Sequence, residues 1–386
     1  MSSQALLYTK QEKIYPRETS GRFQRLRSYA VWCLLGIYYA APHLAWDGRQ
    51  AILFDLPARK FYIFGAVFLP HDFFFLAVLL MIAAVLLFFV TAVAGRVWCG
   101  YACPQTVWTE AFVWMERLTE GSRSQQIRLA NQPWDSNKIR KVVLKQTLWI
   151  SFSLFTGLTF VGYFNPINEL IPNFFTLEAS GWATFWVLFY SMATYGNAGF
   201  LREQVCKYMC PYARFQSAMF DKDTLIVTYD YRRGEPRKKG RRSASDSSNQ
   251  IGDCIDCRLC VQVCPTGIDI RDGLQYECIG CAACIDVCNK VMAQTGMPPN
   301  LVRYSTESLD QGNNKSLREI LMRTRTLAYL CLLALIFLAW VFAMSQRPLF
   351  HIDVAHDRNP LFRLTQNDRI ENTYQIKLIN KTNRAQ

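Results

Sequence analysis

Twelve of the fourteen cysteines in this sequence fall into four short motifs whose spacing is typical of metal binding. Two runs of the form C-x2-C-x2-C-x3-C lie at residues 254–264 and 278–288, and two C-x3-C-P motifs lie at residues 99–104 and 206–211. Thiolates are soft ligands that suit iron–sulfur clusters, zinc and Cu(I). The cysteines therefore predict a protein whose chemistry depends on bound metal.

The two longer runs have the spacing of bacterial ferredoxins with two [4Fe–4S] clusters, in which the fourth cysteine of each run binds the cluster of the other run. The first predicted ligand set is Cys254, Cys257, Cys260 and Cys288. The second predicted ligand set is Cys264, Cys278, Cys281 and Cys284. Zinc is the weaker interpretation, because four ligands per site give no reason for the three-plus-one arrangement. Disulfides are unexpected on the reducing side of a membrane.

One residue departs from the ferredoxin pattern. Proline follows the fourth cysteine of the first run at Pro265, whereas Asn289 stands at the corresponding place in the second run. Proline fixes the local backbone and cannot continue a helix. We therefore expect the backbone after Cys288 to differ from the backbone after Cys264.

The C-x3-C-P motifs predict a separate site made of Cys99, Cys103, Cys206 and Cys210. On a helix, residues four apart share a face, so each motif is expected to present two thiols together. Both motifs follow apolar segments that run towards the same side of a membrane. The site could bind copper, zinc or a third iron–sulfur cluster, and four buried, inert cysteines are the alternative.

Cations close to these thiols are expected to favour the thiolate form. Arg96, Arg202 and Lys207 stand within a few residues of the motifs, and a nearby positive charge lowers the pKa of a thiol. The two remaining cysteines, Cys33 and Cys331, each stand alone in an apolar segment, where a packing role is expected.

Five apolar segments approach the length of about 20 residues that a membrane-spanning helix needs. They cover residues 29–46, 73–94, 146–164, 182–201 and 326–345. The second and fifth are the strongest, and buried helices of a soluble protein are the alternative for the others. Charged residues make up only 19% of the chain, below the share of about a quarter that is usual in soluble domains.

The distribution of charge predicts the orientation of these segments. If the N-terminus is cytoplasmic, the inner segments 1–28, 95–145 and 202–325 hold 33 of the 43 Lys and Arg residues. Cytoplasmic loops of membrane proteins carry such an excess, which can also contact anionic membrane lipid. The net charge of +13 is therefore interpreted as a sign of topology, and no nucleic-acid binding is expected.

The predicted fold is an α-helical polytopic membrane protein with five transmembrane helices and a cytoplasmic α+β ferredoxin domain. Its segments are a cytoplasmic N-terminal segment 1–28, a membrane domain 29–230, a basic flexible linker 231–250, the ferredoxin domain 251–325, the fifth span 326–345 and a periplasmic tail 346–386. In the tail, two short alternating runs around a turn within residues 361–380 predict a weak β-hairpin.

The sequence resembles the CcoG/FixG/RdxA family of cytochrome oxidase accessory proteins almost from end to end. The resemblance rests on RQAILFDLPARKFYIFG at 49–65, GRVWCGYACPQTVWTE at 95–110, REQVCKYMCPYARFQ at 202–216, YRRGEPR at 231–237 and LVRY at 301–304. These motifs are far more specific than the ferredoxin spacing, which occurs in many proteins.

The resemblance implies a multi-pass protein of the bacterial inner membrane, with its N-terminus cytoplasmic and its C-terminus periplasmic. It implies a role in biogenesis of the cbb3-type cytochrome oxidase, beside a copper-exporting P-type ATPase and other assembly factors, in which Cu(II) is reduced to Cu(I). The copper-handling role falls on Cys99, Cys103, Cys206 and Cys210. The cytosolic electron donor is left open, as is a homodimer.

The family usually ends in a periplasmic immunoglobulin-like domain of roughly a hundred residues. About 40 residues follow the fifth span here, so the tail is expected to hold only the opening strands of a truncated domain. Two other functions stay open: an electron-relay subunit of a quinol-linked membrane complex, and a redox-sensing assembly factor. The sequence has no Walker A motif, which argues against an ATP-driven pump in this chain.

Overall fold

The computed structural model describes residues 13–238, 240, 251–310, 319, 322–348, 350–356, 362–364 and 370–381. The predictions for the first twelve residues and for positions 239 and 241–250 of the linker lie outside the described residues. The chain forms two compact units. One comprises Met1–Tyr38, Val85–Gly157 and Phe185–Leu330, and the other comprises Tyr39–Ala84, Leu158–Thr184 and Cys331–Gln386.

Helices make up most of the described chain. The α-helices are Arg22–Ala40, Phe73–Ala94, Val97–Tyr101, Pro104–Glu120, Arg123–Asn131, Ser136–Val161, Ile167–Phe175, Gly181–Thr194, Pro211–Met219, Tyr231–Gly234, Leu259–Val263, Ala283–Thr295, Glu307–Asp310 and Thr324–Ser345. Two π-helical segments, Tyr195–Leu201 and Val205–Met209, lie around the second C-x3-C-P motif. Single-turn π-helical segments are rare and occur frequently at functional sites.

The strands are short and pair antiparallel. Ala45–Trp46 pairs with Arg49–Gln50, Ile52–Asp55 with Lys60–Ile63, Lys60–Ile63 with Ala66–Phe68, Ile226–Tyr229 with Val302–Ser305, Phe350–His356 with Tyr374–Asn380, and Arg363–Leu364 with Ile370–Glu371. The last pair confirms a hairpin within residues 361–380. The sequence did not predict the longer strand Phe350–His356.

Two helices, Pro70–Ala94 and Thr324–Ser345, are long and apolar enough to cross a membrane. Only 6% and 0% of the residues in their apolar windows are buried inside the protein, which argues against core helices of a soluble protein. Their exposed apolar faces indicate association with a membrane. Among the described residues, no other helix reaches the same length and hydropathy.

The other three predicted spans coincide with helices whose bounds differ from the prediction. The first helix is Arg22–Ala40, so the predicted span 29–46 extends beyond the end of this helix. Pro42 lies in the 3-10 turn that follows it, because proline lacks the N–H that a continuing helix needs. Most of the third predicted span, 146–164, lies in Ser136–Val161, which begins earlier in a polar stretch.

The fourth predicted span combines the α-helix Gly181–Thr194 with the π-helical segment Tyr195–Leu201. The second C-x3-C-P motif follows directly. A change of helix type at this point rotates the following residues relative to a regular α-helix.

A packed core beside the first C-x3-C-P motif surrounds Phe112 of helix Pro104–Glu120. Phe112 is fully buried against Trp149 and Ala198, and Trp149 Nε1 donates a hydrogen bond to the Phe112 carbonyl oxygen at 3.2 Å. A buried ion pair joins Arg202 to Glu116 at 2.9 Å. These contacts hold Arg202, which lies just before the second C-x3-C-P motif, against helix Pro104–Glu120, which follows the first motif.

The ferredoxin domain includes residues before the predicted linker. Strand Ile226–Tyr229 pairs with strand Val302–Ser305, which follows the second cysteine run. Arg233 forms an ion pair with Asp253 at 2.8 Å, within a stretch predicted to be a flexible linker. That prediction was wrong for residues 231–238, because these backbone and side-chain contacts hold them against the domain.

Candidate metal centres

The two predicted cluster sets surround two cavities of the ferredoxin domain. The first cavity is lined by Cys254, Cys257, Cys260 and Cys288. The second cavity is lined by Cys264, Cys278, Cys281 and Cys284, with Cys260 also at its wall. The folding of the chain therefore brings together the cysteines that the spacing assigned to each cluster, including the fourth cysteine supplied by the other run. That each set binds a cluster remains a prediction.

The backbone of the two runs repeats one unusual conformation. The residues on either side of the second cysteine of each run have positive φ angles. These angles are 47° at Asp256 and 53° at Arg258 in the first run, and 66° at Gly280 and 59° at Ala282 in the second. Successive N–H groups in such turns form concavities that bind anions, including iron–sulfur clusters. The donors and the backbone thus fit a [4Fe–4S] group in both cavities.

Burial disfavours the charged form of these thiols. It raises the pKa of Cys260 and Cys278 to about 12 and that of Cys288 to about 11. Metal ligation requires the thiolate, so cluster assembly must release protons from the domain.

Asn289 changes the second run in the way the sequence predicted. Pro265 follows the short helix Leu259–Val263, whereas helix Ala283–Thr295 runs on past the fourth cysteine. The Asn289 side chain accepts a hydrogen bond from the backbone N–H of Asn300 at 2.7 Å. The absence of proline therefore allows a longer helix. The Asn289 side chain then holds the loop that leads to strand Val302–Ser305.

Both C-x3-C-P motifs have the same local structure. The first cysteine lies in a helical turn, and the second is the extended N-cap of the next helix, with ψ of 130° at Cys103 and 111° at Cys210. Pro104 and Pro211 are the first helical residues, and proline disfavours helical backbone at the residue before it. The expectation that both cysteines of a motif share one helix was therefore wrong.

The four thiols of the two motifs nevertheless form one group. Electrostatic interactions connect every pair among Cys99, Cys103, Cys206 and Cys210. A negative charge on one of these thiols therefore disfavours a negative charge on another. We call this group the thiol quartet.

Among the described residues, no group of three or more His, Cys, Asp or Glu side chains has the geometry of an assembled metal-ion site.

Burial outweighs the effect of neighbouring cations on three thiols of the quartet. Burial raises the pKa of three of them: Cys99, Cys103 and Cys206, the last to about 12. The positive charge of Arg96 opposes this effect but does not outweigh it, and Arg202 is paired with Glu116. The expectation that Arg96, Arg202 and Lys207 favour thiolate was therefore wrong, because desolvation dominates.

A buried hydrogen-bond network holds Cys99. Its thiol donates to Gln216 Oε1 at 3.2 Å, and Arg96 Nε donates to the same oxygen at 3.1 Å. The Gln216 amide in turn donates to Thr91 Oγ1 at 3.2 Å. Gln216 is fully buried, and sequence reasoning did not single it out, although it ends the 202–216 motif.

The turn that carries Cys99 packs directly on the second cysteine run. A Cβ at Gly100 would lie 2.9 Å from both the Cys281 Cα atom and the Ile279 carbonyl oxygen, so only glycine allows this approach. Cys99 and Cys281 belong to one buried apolar cluster. Tyr101 donates a hydrogen bond to the Cys281 carbonyl oxygen at 3.5 Å. The thiol quartet therefore adjoins the second cluster cavity.

The two isolated cysteines lie on helix surfaces. Cys33 in Arg22–Ala40 and Cys331 in Thr324–Ser345 are both exposed. Neither side chain is buried within the chain, and the predicted packing role stays a prediction.

Three family models match the chain. A 4Fe-4S dicluster domain matches residues 201–307, and a 4Fe-4S binding domain matches residues 76–120. The immunoglobulin-like fold at the C-terminus of FixG matches residues 340–386. The first match contains both ferredoxin runs and Cys206 and Cys210, and the second contains Cys99 and Cys103.

Curated relatives match nearly the whole chain. Protein RdxB of Cereibacter sphaeroides is 44% identical, and the alignment covers 98% of this chain and 81% of the relative. Protein RdxA of the same organism is 42% identical, with coverage of 97% and 81%. Nitrogen fixation protein FixG of Rhizobium meliloti is 40% identical, with coverage of 97% and 78%. No solved structure matches. Together with the two cysteine-lined cavities, these alignments show that the chain belongs to the FixG, RdxA and RdxB family of iron–sulfur redox proteins.

Proposed function

We propose that this protein is a multi-pass inner-membrane redox protein that reduces Cu(II) to Cu(I) during biogenesis of a cbb3-type cytochrome oxidase. The observation that carries the proposal is the packing of the Cys99 turn on the Cys281 run, which leaves no room for a Cβ at Gly100. A group of soft metal ligands thereby adjoins a cavity built for an electron carrier. The resemblance in sequence supplies copper as the metal.

The [4Fe–4S] clusters, when bound, supply electrons one at a time. The eight ferredoxin cysteines hold them, and the apolar walls of the two cavities keep water away. Gly100 and Tyr101 hold the thiol quartet against the wall of the second cavity. The close packing of the thiol quartet on the second cluster cavity supports electron transfer from a cluster bound there to a metal bound by the quartet.

The thiol quartet is suited to keeping the product. Thiolate sulfur favours Cu(I) over harder cations. Because burial keeps Cys99, Cys103 and Cys206 protonated, binding of the metal must displace protons from them. We expect the Gln216 side chain, which accepts the Cys99 hydrogen bond, to hold that sulfur in place.

The proposed topology has five spans, with the N-terminus cytoplasmic and the C-terminus periplasmic. The distribution of Lys and Arg supports it, as do the two strongly apolar helices. The thiol quartet and both cluster cavities then face the cytoplasm. Cu(I) would be available there to a copper-exporting P-type ATPase, the proposed partner.

The test is anaerobic Cu(II) reduction by purified protein in which Cys99, Cys103, Cys206 and Cys210 are all changed to Ser. We expect the rate to fall by at least about tenfold, in line with the loss of metal ligation, while the iron content stays unchanged. Cys33→Ser with Cys331→Ser is the matched control, because both residues are isolated and exposed. An undiminished rate in the quadruple variant with intact clusters would rule out the proposed role.

A second arrangement is favoured by the match of a 4Fe-4S binding domain to residues 76–120. In it the thiol quartet holds a third cluster, and the protein acts as an electron relay, as in the quinol-linked alternative. Iron and sulfide analysis separates the two arrangements. About eight iron atoms per chain correspond to two clusters and a free quartet, and about twelve correspond to three clusters.

A further inference from the structure

A wide basic cavity opens beside the ferredoxin domain. Its volume is about 510 Å³, and it is lined by the side chains or backbone of Arg17, Glu18, Arg117, Gly121, Ser122, Arg123, Ser124 and Gln262. Three arginines face one carboxylate here, which gives the wall an excess of positive charge. We call it the outer cavity.

A second, narrower cavity leads inward from the same place. It shares Arg17 and Arg117 with the outer cavity and reaches Cys206 of the thiol quartet. Thr266 and Ile279, which also line the second cluster cavity, lie along it. The two cavities therefore adjoin at Arg17 and Arg117, and the inner cavity, of about 60 Å³, extends to Cys206.

Two buried arginines line the inner cavity. The side chains of Arg27 and Arg202 are 7% and 6% exposed, and each already pairs with a carboxylate, Arg27 with Glu110 at 2.9 Å and Arg202 with Glu116 at 2.9 Å. Within the described part of the chain, Arg27 Nε and Arg202 Nη1 nevertheless have no hydrogen-bond acceptor. A buried N–H without a partner is unfavourable, so both side chains would gain from a hydrogen-bond acceptor beside them.

The charge of the outer cavity disfavours a bare cation. Its walls carry Arg17, Arg117 and Arg123 against Glu18, whereas the buried arginines of the inner cavity are already paired with carboxylates. A cleft with an excess of one sign of charge attracts ligands of the opposite sign. Guanidinium groups also match the planar fork of a carboxylate.

We propose that the outer cavity binds the metal substrate as a small anionic complex, with carboxylate ligands around the copper, and not as a bare cation. The arginines of the outer cavity hold the carboxylates, beside the inner cavity that extends to Cys206. This inference rests on the proposed function for the identity of the metal. It adds the chemical form in which the substrate is recognised.

The test uses redox-inert zinc, so that binding is measured without electron transfer. Calorimetric titration of the full-length protein in detergent compares an anionic zinc–citrate complex with a cationic zinc–ethylenediamine complex. We expect measurable binding of the citrate complex only. Arg17→Gln with Arg117→Gln should weaken that binding by about tenfold or more, because each loses a charged contact at the junction of the cavities.

Arg22→Gln with Arg25→Gln is the matched control, since it removes the same charge from residues that line neither cavity. It should bind the citrate complex as the wild type does. Equal binding of both zinc complexes, or binding of metal-free citrate as tight as that of its zinc complex, would overturn the proposal. Failure of Cu(II) reduction with selective citrate-complex binding would instead contradict the proposed function and leave this inference standing.

Discussion

Gly100 lies where the two candidate metal centres meet. Any side chain there would collide with the backbone of the second cysteine run, 2.9 Å from Cys281 Cα, and backbone cannot move aside as a flexible side chain can. The grouping of the eight ferredoxin cysteines into two sets could be predicted from their spacing in the chain. The contact between the Cys99 turn and the second run could not, because Tyr101 and Cys281 lie 180 residues apart in the chain.

Gly100→Ala should therefore separate the thiol quartet from the second cluster cavity. We expect a loss of about 2 kcal/mol in the free energy of unfolding, typical of overpacking in a well-packed interior, together with slower Cu(II) reduction. Denaturant unfolding and the anaerobic reduction rate measure the two effects. Gly36→Ala is the control, because a Cβ at Gly36 meets nothing within 4 Å. If Gly100→Ala matched the wild type in both measurements, the close packing of the two centres would be refuted.

At the residue scale, the grouping of the thiol quartet could be predicted from the sequence, but the pKa values of its thiols could not. The sequence predicted that four cysteines would come together, and the structure places them in one group. For Cys99, Cys103 and Cys206 it predicted the pKa shift with the wrong sign. Proximity of Arg96 in the chain is visible from sequence, whereas the burial that outweighs its charge depends on tertiary packing.

At the scale of elements, helix Ala283–Thr295 illustrates how one substitution in a motif changes a fold. With Asn289 in place of proline, the helix continues to Thr295, and the Asn289 side chain holds the Asn300 backbone. The sequence predicted a difference here but not its form. The helices Pro104–Glu120 and Arg123–Asn131 were not predicted. They lie between apolar spans, and their mixed polar and apolar composition does not mark them as spans.

Asn289→Pro should shorten this helix and disturb the first cluster site, to which Cys288 belongs. A proline in a helix interior costs about 3 kcal/mol, and we expect a lower thermal midpoint with less iron retained after purification. Asn289→Ala is the control for the lost side chain, with an expected cost of about 1 kcal/mol for its hydrogen bond. Equal iron content and equal stability in the two variants would contradict this interpretation.

At the scale of the whole molecule, composition and charge predicted a membrane protein, and two helices satisfy that expectation by length and hydropathy. The remaining predicted spans are shorter, more polar or partly π-helical. Their hydropathy is therefore a weak signal for the number of spans, and the Lys and Arg distribution supports their proposed orientation.

Reporter fusions test the proposed topology directly. Alkaline phosphatase, which is active only in the periplasm, should be active when fused after residue 178, in the 165–181 loop, and inactive when fused after residue 240. The loop 165–181 has no Lys or Arg, as expected of an outer loop. Activity at residue 240 would reverse the orientation and place the cluster cavities outside the cytoplasm.

The most direct test of the central claim is a single-turnover experiment with anaerobically reduced protein. Cu(II) is mixed with the protein, and cluster absorbance and Cu(I) formation are followed together in a stopped-flow instrument. We predict that Cu(I) forms at the same rate as the clusters are oxidised, one ion for each electron lost. This coupling should disappear when the four quartet cysteines are changed to Ser. Reduced clusters that persist in the presence of Cu(II), or oxidation that is equally fast without the quartet, would contradict it.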